Sequence, residues 1–119
     1  MRKKILIVDD EKDFTELIKL NLEQTHLYDV MTENFPQRAI STAKKFKPDL
    51  IFLDIMMPKV DGGGVLFNLK NDPQLKNVPV VFLTAIVNED ETDTISGYQT
   101  VSKPITIDQL MDVIKKNIK

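Results

Sequence analysis

The chain contains no cysteine, which excludes a disulfide framework, a thiolate metal site and a cysteine nucleophile. Its one histidine, His26, has no second histidine or cysteine to share a metal, so a solvent-facing role is expected for it. Neither sign of charge dominates: 16 Lys and Arg against 18 Asp and Glu give a net charge of −2. Without a basic footprint, electrostatic binding to nucleic acid or to an anionic membrane is disfavoured. The first apolar run, Ile5-Leu-Ile-Val8, follows a basic flank as in a signal peptide. It stops at Asp9-Asp10, too short to span or translocate, and a cytoplasmic domain starting on a buried strand is expected. Any chemistry must come from oxygen and nitrogen groups.

What is present suits one domain over residues 1–119, with 42% hydrophobic residues to fill its interior. Ile5 to Val8 is continuously apolar, as in a strand covered on both faces. Phe14, Leu17, Ile18 and Leu22 then recur at helical spacing, with Asp10 available as the N-cap. Tyr28, Val30 and Thr32 alternate as in an edge strand, and Pro36 can open a helix carrying Ala39, Ile40, Ala43 and Phe46. Asp49 to Leu53 and Val78 to Leu83 predict central strands. A helical stripe of Val65, Leu66 and Leu69 lies between them, ended by Asn71-Asp-Pro73. Tyr98 to Ser102 predicts a weak fifth strand, and Ile107, Leu110, Met111, Ile114 and Ile118 form the clearest amphipathic helix. Residues 88–96 offer only Ile95 as a core anchor, so the fourth helix is expected to be short or irregular. Strict alternation of strand and helix predicts an α/β fold, a doubly wound parallel sheet of about five strands with helices on both faces.

In such sheets ligands bind beyond the carboxyl ends of the strands. There the sequence places Asp9-Asp10 after the first strand, Asp54 after the third, Thr84 after the fourth and Lys103-Pro104 after the fifth. Each alone has an ordinary explanation as a cap, a turn or a solvated charge. Three carboxylates, a hydroxyl and an ammonium at one sheet edge are hard to explain that way. Carboxylates at such distances repel, and a divalent cation relieves the repulsion. All-oxygen ligands in small number favour Mg2+ over a calcium cage. A carboxylate beside Mg2+ can attack a phosphoryl group to give an acyl phosphate, with Lys103 and Thr84 placed to bind its oxygens.

The ordered set Ile-Leu-Ile-Val-Asp9-Asp10-Glu11, Asp54-Ile-Met-Met-Pro58-Lys-Val-Asp61-Gly62, Phe-Leu-Thr84-Ala85 and Ser-Lys103-Pro104 resembles the receiver domains of two-component response regulators, including single-domain chemotaxis regulators. The resemblance spans essentially the whole chain. It implies a flavodoxin-like sheet of strand order 2-1-3-4-5, and a phosphorylation-controlled signalling switch rather than a metabolic enzyme. Asp54 is then the phospho-acceptor, Asp10 a direct Mg2+ ligand, Asp9 a ligand through water, and the Met56 carbonyl a further ligand. Thr84 and Lys103 match the switch hydroxyl and the phosphate-binding lysine, and Ala85 the small residue beside the phosphoryl group. The implied partners are a histidine kinase or phosphotransfer protein and a downstream target or output domain, with no direct nucleic-acid or membrane contact.

Two features depart from the family pattern. Receivers commonly carry Tyr or Phe three residues before the lysine, where this chain has Thr100. The interval from Thr84 to Lys103 is also a few residues shorter than usual. Among other functions, a phosphohydrolase with an aspartate nucleophile usually has a second Asp two residues after the first. Here that residue is Glu11. A nucleotide or flavin binder needs a phosphate-cradling loop after the first strand, where Asp9-Asp10-Glu11 would repel phosphate. A receiver-like interaction module that is never phosphorylated is the third alternative.

Overall fold

The computed structural model describes residues 2–54, 62–84, 94–95, 98–102 and 105–118. The chain runs β1 (Lys3–Val8), α1 (Lys12–Glu23), β2 (Tyr28–Glu33), a 3-10 turn (Pro36–Arg38), α2 (Ala39–Phe46), β3 (Leu50–Asp54), α3 (Gly62–Asn71), β4 (Val80–Thr84), β5 (Thr94–Ile95), β6 (Tyr98–Ser102) and α4 (Ile107–Asn117). The sheet order is β2-β1-β3-β4-β6-β5. Its first five strands pair in parallel throughout, which is the expected 2-1-3-4-5 sheet. β5 is an addition, pairing antiparallel with β6 through Thr94↔Gln99 and Ile95↔Tyr98. The sequence puts Thr94 and Ile95 in a fourth helix. They form strand instead, and the rest of that expected helix lies outside the described residues.

Period-two alternation along the central strands divides the core into two layers. Ile5, Ile7, Leu50, Phe52, Val81 and Leu83 pack with Ile18 and Leu22 of α1 and Leu110 and Ile114 of α4. On the other face Leu6, Val8, Ile51, Leu53, Val80 and Phe82 pack with Ala39 and Ala43 of α2 and Val65 and Leu69 of α3. This is why the central strands read as unbroken apolar runs.

In α1 the expected stripe needs one correction. Leu17 is 57% exposed, whereas Thr15 is buried with Ile18 and Leu22. At 3.6 residues per turn Leu17 points roughly 130° from the middle of that stripe, toward solvent. Asp10 does not cap this helix: its N-cap is Glu11, without a side-chain cap bond. β3 begins one residue later than expected, because Asp49 is exposed and its carboxylate accepts the Lys4 amide at 2.8 Å. β4 begins after Pro79, with Val78 in the preceding turn.

Candidate functional site

From β1 the chain turns to one edge through β2 and then crosses to β3 on the other side of β1. This reversal opens a crevice at the carboxyl ends of β1 and β3. Asp9 follows Val8, the last residue of β1, and Asp54 is the last residue of β3. They are 0% and 2% exposed. Apolar neighbours along both strands give these carboxylates a dry floor. Asp54 is in register with Leu83, and Thr84 with Ser102, so the backbone of β4 and β6 brings Thr84 and the residue before Lys103 to the same sheet edge.

Asp9, Glu11 and Asp54 each bring one carboxylate oxygen into a cluster spanning no more than 4.8 Å. Asp10 lies outside this cluster and is exposed, while Glu11, also exposed, supplies the third carboxylate. The loop geometry explains the exchange. Asp9 Oδ1 accepts the Glu11 amide at 2.9 Å, a tight turn that brings Glu11 close to Asp9. Met56, Ala85, Lys103 and Pro104 lie outside the described residues, as does the side chain of Thr84. Of the expected site residues the structure therefore joins Asp9 and Asp54. Glu11 is a member that motif reading passed over, although its place in an unbroken acidic run was the available signal.

The turn is held from below. The Asp9 amide donates to the Glu33 carbonyl at 3.1 Å, which extends the β1–β2 ladder by one rung. Asn34 Nδ2 donates to the Asp9 carbonyl at 2.8 Å and to Thr15 Oγ1 at 2.9 Å. At 4.8 Å two unit charges repel by about 3.5 kcal/mol at an effective dielectric of about 20. Three carboxylate oxygens held this closely are a donor set for a hard divalent cation, and two buried aspartates with an open, exposed rim suit Mg2+, which keeps several waters. The residues present fit that ion.

No competing site appears among the described residues. His26 is exposed in the turn after α1 and joins no group of metal-ligating side chains. A cavity of about 390 Å³ is lined by Lys44, Lys47, Pro48, Gln74, Leu75 and Val78. Pro48 and Val78 precede β3 and β4, so it opens at the opposite sheet edge, away from the carboxylates. No helix among the described residues is long and apolar enough to cross a membrane.

The sequence profile of the response regulator receiver domain matches residues 5–115. The chain is 40% identical over 99 residues to the alkaline phosphatase synthesis transcriptional regulatory protein PhoP of Bacillus subtilis, covering 83% of this chain but 39% of that protein. It is 31% identical over 118 residues to the polar-differentiation response regulator DivK of Brucella anthropi, covering 97% of this chain and 95% of that one. The chain thus spans well under half of PhoP and nearly all of DivK. Among solved structures, the N-terminal domain of a response regulator receiver protein from Methanoculleus marisnigri superimposes with a TM-score of 0.73 at 31% identity, covering 95% of this chain and 94% of that one. The chemotaxis protein CheY4 of Vibrio cholerae superimposes with a TM-score of 0.86 at 22% identity, covering 99% of this chain and all of that one, a likeness of fold.

Proposed function

The chain belongs to the response regulator receiver domain family, a phosphorylation-controlled signalling switch of two-component systems, and from that premise we propose that Asp54 is its phospho-acceptor. The observation that carries this reading is the burial of Asp54 beside Asp9, with Glu11 closing an all-oxygen cluster at the sheet's switch point. Receiver domains generally use Mg2+ at an acidic pocket. Here Asp9 and Asp54 form the buried part of the ligand set and Glu11 its open side, and Asp10, outside the cluster on the same loop, is the direct ligand expected from the family. The Met56 carbonyl is the further ligand expected from the family. Bound there, Mg2+ offsets the charge of the carboxylates and of the incoming phosphoryl group.

Asp54 is the nucleophile. One of its oxygens forms the new bond to phosphorus as the bond from phosphorus to the phosphohistidine nitrogen breaks; that nitrogen keeps the bonding pair, and a proton on the other ring nitrogen, held beforehand or taken from water, lets the imidazole leave neutral. Asp9 holds the acidic loop through its bond to the Glu11 amide. Thr84 donates a hydrogen bond to one phosphoryl oxygen, and Lys103 pairs with another. The phosphoryl donor is a histidine kinase or phosphotransfer protein, and the phosphorylated form presents an altered surface to a downstream target. The domain is regulatory, promoting only its own phosphorylation and dephosphorylation.

The test is intact-mass spectrometry after incubation with a small acyl phosphate. One added phosphoryl group is expected in the presence of Mg2+, and none after chelation or in Asp54→Asn. Absence of labelling in the wild type with Mg2+ would support the unphosphorylated interaction module instead.

A further inference from the structure

Asn34, the first residue after β2, is outside every motif that marks the site, yet both hydrogens of its side-chain amide are directed at the acidic loop. One goes to the Asp9 carbonyl at 2.8 Å and the other to Thr15 Oγ1 at 2.9 Å. The direction of these bonds is fixed by chemistry. A carbonyl can only accept, so the nitrogen of Asn34 must face Asp9. The Thr15 hydroxyl gives its proton to the Lys12 carbonyl at 3.0 Å and so accepts from Asn34.

The two anchor points flank the stretch that carries Asp10 and Glu11. Asp9 directly follows β1 on one side, and Thr15, fully buried, lies in the first turns of α1 on the other. Asn34 is itself held from behind. The Glu33 backbone carbonyl accepts the Asp9 amide, and the Glu33 carboxylate accepts both the Phe35 amide and the Thr42 hydroxyl. The Arg38 guanidinium stacks over the Phe35 ring at 4.9 Å, bracing the same loop. The clamp therefore connects a rigid corner of the fold to a loop whose charges would otherwise push it open.

We propose that Asn34 is a positioning residue for the divalent-cation site, clamping the loop between Asp9 and Thr15 so that its carboxylates meet the ion already arranged. This rests on the reading that the acidic cluster binds Mg2+. A neutral amide suits the task, since it supplies two donors without neutralising the charge the cation needs. An aspartate there would set carboxylate oxygens against the Asp9 carbonyl. Residues that orient ligands from behind typically change metal affinity by about 10–100-fold when removed.

The experiment is a Mg2+ titration of the full chain followed by backbone NMR shifts of residues 9–12, with thermal midpoints measured alongside. Asn34→Ala should raise the Mg2+ Kd about tenfold or more. Thr15→Val, which loses only one anchor, should raise it by a smaller factor, and the double variant should bind no more weakly than Asn34→Ala because both changes remove one bridge. Thr25→Ala is the control. Its hydroxyl donates to the Leu22 carbonyl at 2.7 Å at the far end of α1, so its loss should lower the midpoint and leave the Kd unchanged. If Asn34→Ala and Thr15→Val lower the midpoint but bind Mg2+ like the wild type, Asn34 is only structural and the inference is overturned. Failure of the wild type to bind Mg2+ overturns the reading of the site itself, a result distinct from the first.

Discussion

Asparagine at position 54 keeps the shape of the side chain and removes one of three charges clustered within 4.8 Å. The repulsion between two unit charges at that separation is about 3.5 kcal/mol at an effective dielectric near 20. Asp9 and Asp54 are both buried, so solvent screens their mutual repulsion less than it screens the share of the exposed Glu11. Polar and charged neighbours return part of this energy, leaving a net gain of about 1–2 kcal/mol for Asp54→Asn in metal-free protein. In a domain of this size each kcal/mol moves Tm by about 4 °C, so the variant should melt about 4–8 °C above the wild type in chelator. Magnesium should then narrow the gap, because binding to the native state stabilises the wild type more than a variant missing one ligand. Calorimetric melts of both proteins with chelator and with Mg2+ give the four midpoints needed. Equal or lower stability of Asp54→Asn in chelator, with the same response to Mg2+, would refute a repulsive cluster that shares a cation.

Three further outcomes follow from named residues. Lys103→Ala should still be phosphorylated at Asp54, less effectively, but without the backbone NMR shifts that spread through the wild type; identical shifts in both would remove Lys103 from the switch. Lys44 Nζ lies 2.9 Å from Asp72 Oδ2, and this hydrogen bond, with a smaller contribution from the Gln74 amide, holds the Asp72 carboxyl below its ordinary value of 3.8. A depressed carboxyl adds stability that is present above its ordinary pKa and lost as pH falls through the folded value, so Lys44→Ala should raise the Asp72 pKa and reduce the loss of stability below about pH 4. A carboxyl carbon NMR titration that leaves Asp72 unmoved contradicts this. Gly64 lies within α3, and a Cβ added there meets no atom within 4 Å. Gly64→Ala should therefore stabilise the fold by about 0.5–1 kcal/mol, and a lower urea midpoint would show that α3 does not tolerate the side chain.

The sheet was legible in the sequence because its central strands are buried on both faces, so Ile5 to Val8 and Ile51 to Leu53 stand out as apolar runs. Position at strand ends is equally legible, and it alone brings Asp9 and Asp54 to one sheet edge. Leu17 was misplaced because a spacing of three and four residues fits two overlapping stripes, and only packing decides between a leucine and the buried Thr15. β5 was hidden because two residues are too few to show any period, and their pairing depends on the neighbouring strand. Asn34 escaped motif reading for a different reason. Its role depends on contacts with Asp9 and Thr15, distant in sequence, and nothing in its local pattern records them.

Reduction of the phosphorylated protein with borohydride, followed by peptide mass mapping, tests the central claim most directly. Hydride converts an aspartyl phosphate to homoserine and so marks the acceptor permanently. The change is predicted at residue 54 alone, and only in protein treated with phosphodonor and Mg2+. Homoserine at position 9 or 10, or none at any aspartate of protein treated in the same way, would contradict it.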